Sequence, residues 1–222
     1  MPIEPPSPSR PLRDYAAIGD GRTVALIGLD GSVDWLPLPN IHSRPVFARL
    51  VDESAGGCIQ LAPVGEYEVT RRYIPRTNVL ETTFTTETGV ATLTDAMVTG
   101  IAGRLPWAEL ARRVEGVKGE VEFAWCVQPG TMLRSAAPWT ERVDGFSIMR
   151  IGHVSLAVTG HEHGVEGEPD AGDESIDGGF TTSKGSRHHS ITTQTKSRRA
   201  AGTTTAPNLR RRSPPKGSTP SP

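Results

Sequence analysis

Between residues 15 and 158 the chain is a succession of short apolar or alternating segments, each closed within a few residues by Gly, Pro, Asn or Asp. Such a chain is confined to antiparallel strands joined by tight turns. The segments fall at residues 23–29, 32–36, 58–61, 66–73, 78–85, 90–95, 110–117, 121–128, 146–151 and 154–158. The clearest is the last-but-two, where Val121, Phe123, Trp125 and Val127 alternate with Glu120, Glu122, Ala124 and Gln128. Period two gives one core-facing side and one wet or covered side. Asp30-Gly31 between two apolar runs predicts a hairpin with a type I′ turn, which needs positive φ at both central residues. Only residues 105–113 compete as a helix, and that choice stays open. Ten strands without intervening helices predict an all-β fold, a large antiparallel β-sandwich.

Composition sets limits on how much of the chain packs. Of 222 residues 36% are hydrophobic and only 5% aromatic, which is thin for a core spread over the whole length. From His188 to Pro222 the sequence is Ser, Thr, Pro and Arg, with seven Lys or Arg and no Asp or Glu, and its large aliphatics are Ile191 and Leu209. So little apolar surface does not offset chain entropy. The expected organisation is a flexible N-terminus at 1–13, a β-sandwich domain at 14–187 whose last strands are incomplete, and a disordered basic tail at 188–222.

Cys58 and Cys126 make no disulfide framework, zinc spacing or CxxC pair, and read as buried free thiols. The first residues show no basic stretch followed by an apolar one, and no run of 18 apolar residues occurs. These features lead us to expect a cytoplasmic protein without a membrane span.

Collinear segments carry a family resemblance. Tyr15-Ala16-Ala17-Ile18-Gly19-Asp20, then Asp30-Gly31-Ser32-Val33-Asp34-Trp35-Leu36-Pro37-Leu38-Pro39 and Arg44-Pro45-Val46-Phe47-Ala48-Arg49-Leu50, resemble the opening of bacterial glycoside hydrolase family 15 proteins of the glucoamylase and trehalase type. The resemblance continues through Gly56-Gly57-Cys58-Ile59-Gln60-Leu61-Ala62-Pro63, Tyr73-Ile74-Pro75, Asn78-Val79-Leu80-Glu81-Thr82 and Arg112-Arg113-Val114-Glu115-Gly116. It implies a trehalase-like N-terminal domain, a supersandwich normally followed by an (α/α)6 barrel. In that barrel two glutamates hydrolyse an α-glucosidic bond of trehalose or a maltooligosaccharide with inversion. Inversion needs an acid and a base with carboxyls roughly 6.5–9.5 Å apart. Both glutamates would lie beyond residue 222, so no catalytic residue is expected here, and the barrel becomes the implied partner. The sequence departs from the family at His42-Ser43, where an Asp-Ser pair is usual, and at His188-His189-Ser190, where another apolar strand is expected. We read the second departure as a reading-frame change near His188.

Candidate chemistry is sparse. Trp35, Asn40 and Arg44 could contact a sugar, trehalose or an α-glucan, since an aromatic face and planar polar groups suit carbohydrate. For Trp35, core packing is the favoured reading. Asp20, Asp34, Glu81 and Glu109 are candidate carboxylates that spacing alone does not pair across a sugar. His161-Glu162-His163 lacks a third ligand, His188-His189 is weaker, and Gly19-Asp20-Gly21 precedes a strand rather than a helix and so reads as a plain turn. No metal and no cofactor is expected. Arg210-Arg211-Arg212 has no aromatic neighbour for stacking, so no specific nucleic acid is expected, and a stand-alone carbohydrate-binding module is the alternative function.

Overall fold

The computed structural model describes residues 10–99, 107–143, 146–161 and 175–196. Fourteen strands follow a 3-10 turn at Leu12–Asp14: β1 Ala16–Gly19, β2 Val24–Ile27, β3 Val33–Pro37, β4 Pro45–Phe47, β5 Gly57–Pro63, β6 Glu68–Tyr73, β7 Leu80–Thr85, β8 Gly89–Met97, β9 Ala108–Pro129, β10 Pro138–Val143, β11 Phe146–Ile151, β12 Val154–His161, β13 Ile176–Ser183 and β14 Arg187–Lys196. All named strand pairs are antiparallel.

The 22-residue β9 organises the molecule. Its first half pairs β8 on one side and β14 on the other, and its second half pairs β5 and β13. One sheet therefore runs β1-β2-β3-β5-β9-β13 and the other β6-β7-β8-β9-β14-β12-β11-β10. The passage between them is built by sequence. Val90 pairs Lys118 while Ala91 pairs Gly116, a bulge that leaves Val117 over and bends the strand. A Cβ on Gly116 would sit 2.0 Å from the Ser183 carbonyl oxygen, so only glycine allows β9 to pass this close to β13.

Alternation sets the packing. In β8, Val90, Thr92, Thr94 and Ala96 are half-buried while Ala91, Leu93, Asp95 and Met97 are buried. Val121, Phe123 and Val127 of β9 are buried, with Trp125 packed at the core's margin. Two clusters fill the interior, the larger including Ile18, Ile27, Leu36, Phe47, Leu110 and Met149, the smaller centred on Phe84, Leu93 and Phe123. An aromatic ladder stitches the sheets in the smaller cluster. Tyr67 meets Phe84 edge-on at 5.2 Å, Phe84 meets Phe123 edge-on at 6.0 Å, Phe123 stacks on Phe180 at 5.5 Å, and Phe180 stacks on His188 at 4.3 Å.

The all-β sandwich stands as expected, with one open choice closed and three corrections. Residues 108–113 are strand, which closes the helix alternative. Asp30 has no positive φ, and only Gly31 does, at 76°, so the β2–β3 connection is a longer loop closed by Gly28 N–H to Ser32 O rather than a type I′ turn. The Asp30 carboxylate instead accepts the Ser32 N–H. The flexible N-terminus expected to reach residue 13 gives way to order by Arg10, which is ion-paired to Asp30 at 2.5 Å. The disorder expected from His188 gives way to β14, whose residues pair β9 from Arg187 to Gln194 and β12 from His189 to Lys196. The last two strands, β13 and β14, are eight and ten residues long. The remainder of the basic tail, with Arg210, Arg211 and Arg212, lies outside the described residues.

Candidate functional site

The candidate sugar contacts sit on β3 and the loop that follows it. Trp35 is half-buried and pairs Leu26 across β2. Asn40 is half-buried in a tight turn, its N–H donating to Ser43 Oγ at 3.2 Å while its carbonyl accepts the Ser43 N–H at 2.9 Å. Arg44 is exposed immediately before β4. Contiguity brings the three to one end of β3. Among the described residues no hydrogen bond or ion pair joins their side chains to one another.

The organised polar centre lies one residue away, at Asp34. This buried carboxylate accepts Tyr15 Oη at 2.8 Å and Ser32 Oγ at 3.1 Å on one oxygen, and Arg49 Nε at 2.9 Å with a second guanidinium nitrogen at 2.6 Å on the other. Its main-chain carbonyl accepts the Leu50 N–H. The cluster clamps the β4–β5 loop to β3 and to the strand entrance at Tyr15. Burial pushes the Tyr15 hydroxyl above its usual pKa, and the bond to Asp34 pushes it further the same way.

A second polar group forms around Arg22. Burial opposes ionisation of Asp20, yet N–H bonds from Thr23 and Arg22, with the Arg22 side chain, hold its pKa below the usual carboxylate value. Arg22 also donates to the Trp107 carbonyl at 2.7 Å and accepts the Ile41 N–H on its own carbonyl at 2.8 Å. Trp107 is exposed, and its Nε1 donates to Glu109 Oε2 at 3.2 Å. Trp107 and Glu109 therefore join the residue 38–44 loop, a neighbourhood that 60 to 90 residues of separation hid from sequence reasoning.

Each candidate carboxylate is thus already committed: Asp20 to Arg22, Asp34 to Arg49, Glu81 to Arg72 at 2.7 Å and Glu109 to an indole N–H. Asp30 follows suit, since burial works against its charge but the Arg10 and Ser32 bonds lower its pKa. Asp52 is lowered by bonds from the Ala55 N–H and Ser54 Oγ. A general acid needs the opposite shift. Among the described residues no three His, Cys, Asp or Glu form a metal-binding group. Gly19 closes β1, and Asp20-Gly21 opens the short connection into β2, with Gly21 at φ 81°. Of His161-Glu162-His163, only the backbone of His161 is described, at the end of β12, and the rest lies outside the described residues.

Residues 7–133 match the family model for the trehalase-like N-terminal domain, more than half of the chain. The chain belongs to that family. The trehalase of Mycobacterium tuberculosis is 39% identical over 113 residues, which cover 50% of this chain and 15% of that protein. The trehalase of Mycolicibacterium smegmatis is 38% identical over 108 residues, 48% of this chain and 15% of that protein. That of Thermoplasma volcanium is 31% identical over 121 residues, 53% and 19% respectively. The trehalase-like N-terminal domain here thus spans less than a fifth of each of these relatives, and it corresponds to their N-terminal part.

Within this trehalase-like domain both cysteines are free thiols, Cys58 buried and Cys126 half-buried. Burial pushes Cys58 up to about 12 and Cys126 up to about 11, which leaves essentially no thiolate at neutral pH. No described helix is long and apolar enough to cross a membrane.

Proposed function

We propose that this trehalase-like domain is the non-catalytic N-terminal part of a glycoside hydrolase family 15 enzyme that cleaves α-glucosidic bonds in trehalose or maltooligosaccharides. The observation that carries the reading is the joint one of a family match confined to the N-terminal part of trehalases and candidate carboxylates that are each held by an arginine or an indole N–H. Inverting hydrolysis needs two carboxyls of split acidity facing each other across a sugar. Here the shifted carboxylates, Asp20, Asp30 and Asp52, all move toward the ionised form. The partner is then an (α/α)6 barrel holding the acid and base, in the same chain or supplied separately. Two free thiols, Cys58 buried and Cys126 half-buried, fit a reducing compartment, and we place the protein in the cytoplasm.

The test is an assay of the purified chain with trehalose and with maltotetraose, alone and mixed with a separately produced barrel. We expect no glucose release alone and release in the mixture above that of the barrel by itself. Hydrolysis by the chain alone, abolished by neutralising one of its own carboxylates, overturns the reading.

A second reading, carbohydrate binding at the residue 35–44 loop, draws on the exposed Trp107, whose carbonyl is held by Arg22, the residue that also accepts the Ile41 N–H of that loop. Titration calorimetry with the same two sugars decides it. Heat that disappears in Trp35→Ala or Trp107→Ala supports the binding module, and an absence of heat removes it.

A further inference from the structure

The outer edge of β1 is closed by side chains from the opposite sheet. In an antiparallel strand the N–H and C=O of one residue point together, alternately toward the partner strand and away from it. Ala17 donates its N–H to Tyr73 Oη at 2.9 Å, and the same hydroxyl donates to the Ala17 carbonyl at 2.9 Å. Asn78 Nδ2 donates to the Gly19 carbonyl at 2.8 Å. Ala17 and Gly19 therefore face away from β2, while Ala16 and Ile18 face it. Three of the four outward polar groups of this four-residue strand are occupied. The guards come from the end of β6 and from the tip of the β6–β7 hairpin, and Arg71 of the same hairpin donates to the Ile27 carbonyl at 3.2 Å.

An unguarded edge of this kind is self-complementary. A twofold axis through Ile18 sets Ala17 opposite Gly19 of a second copy and Gly19 opposite its Ala17, so the four outward groups pair with one another. The side chains at those two positions are a methyl and a hydrogen, which let two backbones approach without a clash. We propose that Tyr73 and Asn78 act as an edge guard, preventing β1 from strand-pairing with β1 of a second copy of this chain. A single hydroxyl that both accepts and donates on one residue does there what a neighbouring strand would do.

Hydrogen exchange on the full chain tests the guard. In Tyr73→Phe, which keeps the ring, the Ala17 amide is expected to exchange about tenfold faster, a loss on the scale of one hydrogen bond. The Ile18 amide, directed at β2, stays as in the unsubstituted chain. Sedimentation velocity then compares the unsubstituted chain with Tyr73→Ala/Asn78→Ala. The double variant is expected to show a concentration-dependent dimer fraction above that of the parent. Adding Ala17→Pro should abolish it, because proline is tolerated where the N–H faces outward and removes the donor that pairing needs. Unchanged exchange at Ala17, an association state equal to the parent's, or a dimer that survives Ala17→Pro overturns the proposal.

Discussion

Arg112 is 2% exposed, and its guanidinium is committed to Asp95 across the β8–β9 ladder at 2.8 Å and to the carbonyl of Gly31 in the facing sheet. One side chain thereby ties the β2–β3 loop to the other sheet. In Asp95→Asn the buried charge loses its counter-charge, and we expect a loss of about 3–5 kcal/mol, read as a lower urea midpoint. Replacing both by Leu and Met should cost far less, since the uncompensated charge is gone. Tyr15→Phe removes a hydrogen bond to the buried Asp34 carboxylate, and about 1.5–3 kcal/mol should go with it at neutral pH. The folded state also holds the Tyr15 proton more tightly than the unfolded chain, so stability present below about pH 10 is lost as pH rises toward the higher folded value. Cys58 acts with the same sign between its ordinary value of 9 and about 12. Urea midpoints measured at pH 7, 9 and 11 should therefore fall with pH, and fall less in Tyr15→Phe/Cys58→Ala. The sequence announces Asp34 as a carboxylate beside a tryptophan. It does not announce that Arg49 and Tyr15, 15 and 19 residues away, close on it, because that meeting depends on how β3 and β4 pair.

At the scale of elements, the strands read best where alternation is strict, as in β8 and the second half of β9, and worst where glycine or polar residues interrupt it. The Ile176–Ser183 strand carries Gly178 and Gly179 in its middle, yet Gly178 lies under the Trp125 ring, where a Cβ would come within 2.9 Å of ring atoms. Aromatic cover from the neighbouring strand replaces the side chain that periodicity would have needed. β14 was hidden for a related reason, since Arg187 to Ser190 hold no aliphatic residue and His188 finds its place by stacking on Phe180. Because β14 sits between β9 and β12, losing it separates β10, β11 and β12 from the rest of their sheet. A chain ending at Arg187 should aggregate or fail to unfold cooperatively, whereas one ending at Lys196 should keep a single cooperative transition by circular dichroism. Equal behaviour of the two would mean that the strand contributes nothing to stability. Gly116→Ala should act in the same direction as the shorter truncation, because its Cβ meets the Ser183 carbonyl.

For the whole molecule, one long strand shared by two sheets gives a scaffold whose candidate carboxylates are spent on structure, since each is held by an arginine or, for Glu109, by an indole N–H. Two of the exposed apolar side chains lie at the end of the sandwich near Arg22, where Ile41 is 63% exposed and Trp107 37%. Their backbones are tied to the same arginine, so the two apolar side chains belong to one neighbourhood rather than to scattered surface. Exposed apolar side chains that gather in one region are where contact with another protein unit is to be sought. If the barrel proposed above covers it, the isolated chain should bind a hydrophobic dye, and Ile41→Ser/Trp107→Ser should lower that fluorescence and raise solubility without lowering the urea midpoint. A barrel supplied in trans should suppress dye binding in the parent chain and have no further effect on the double variant. Dye fluorescence unchanged by the double substitution would move the contact surface elsewhere, with the exposed Leu133 and Val51, joined through the Arg134–Asp52 pair, as the next region to substitute.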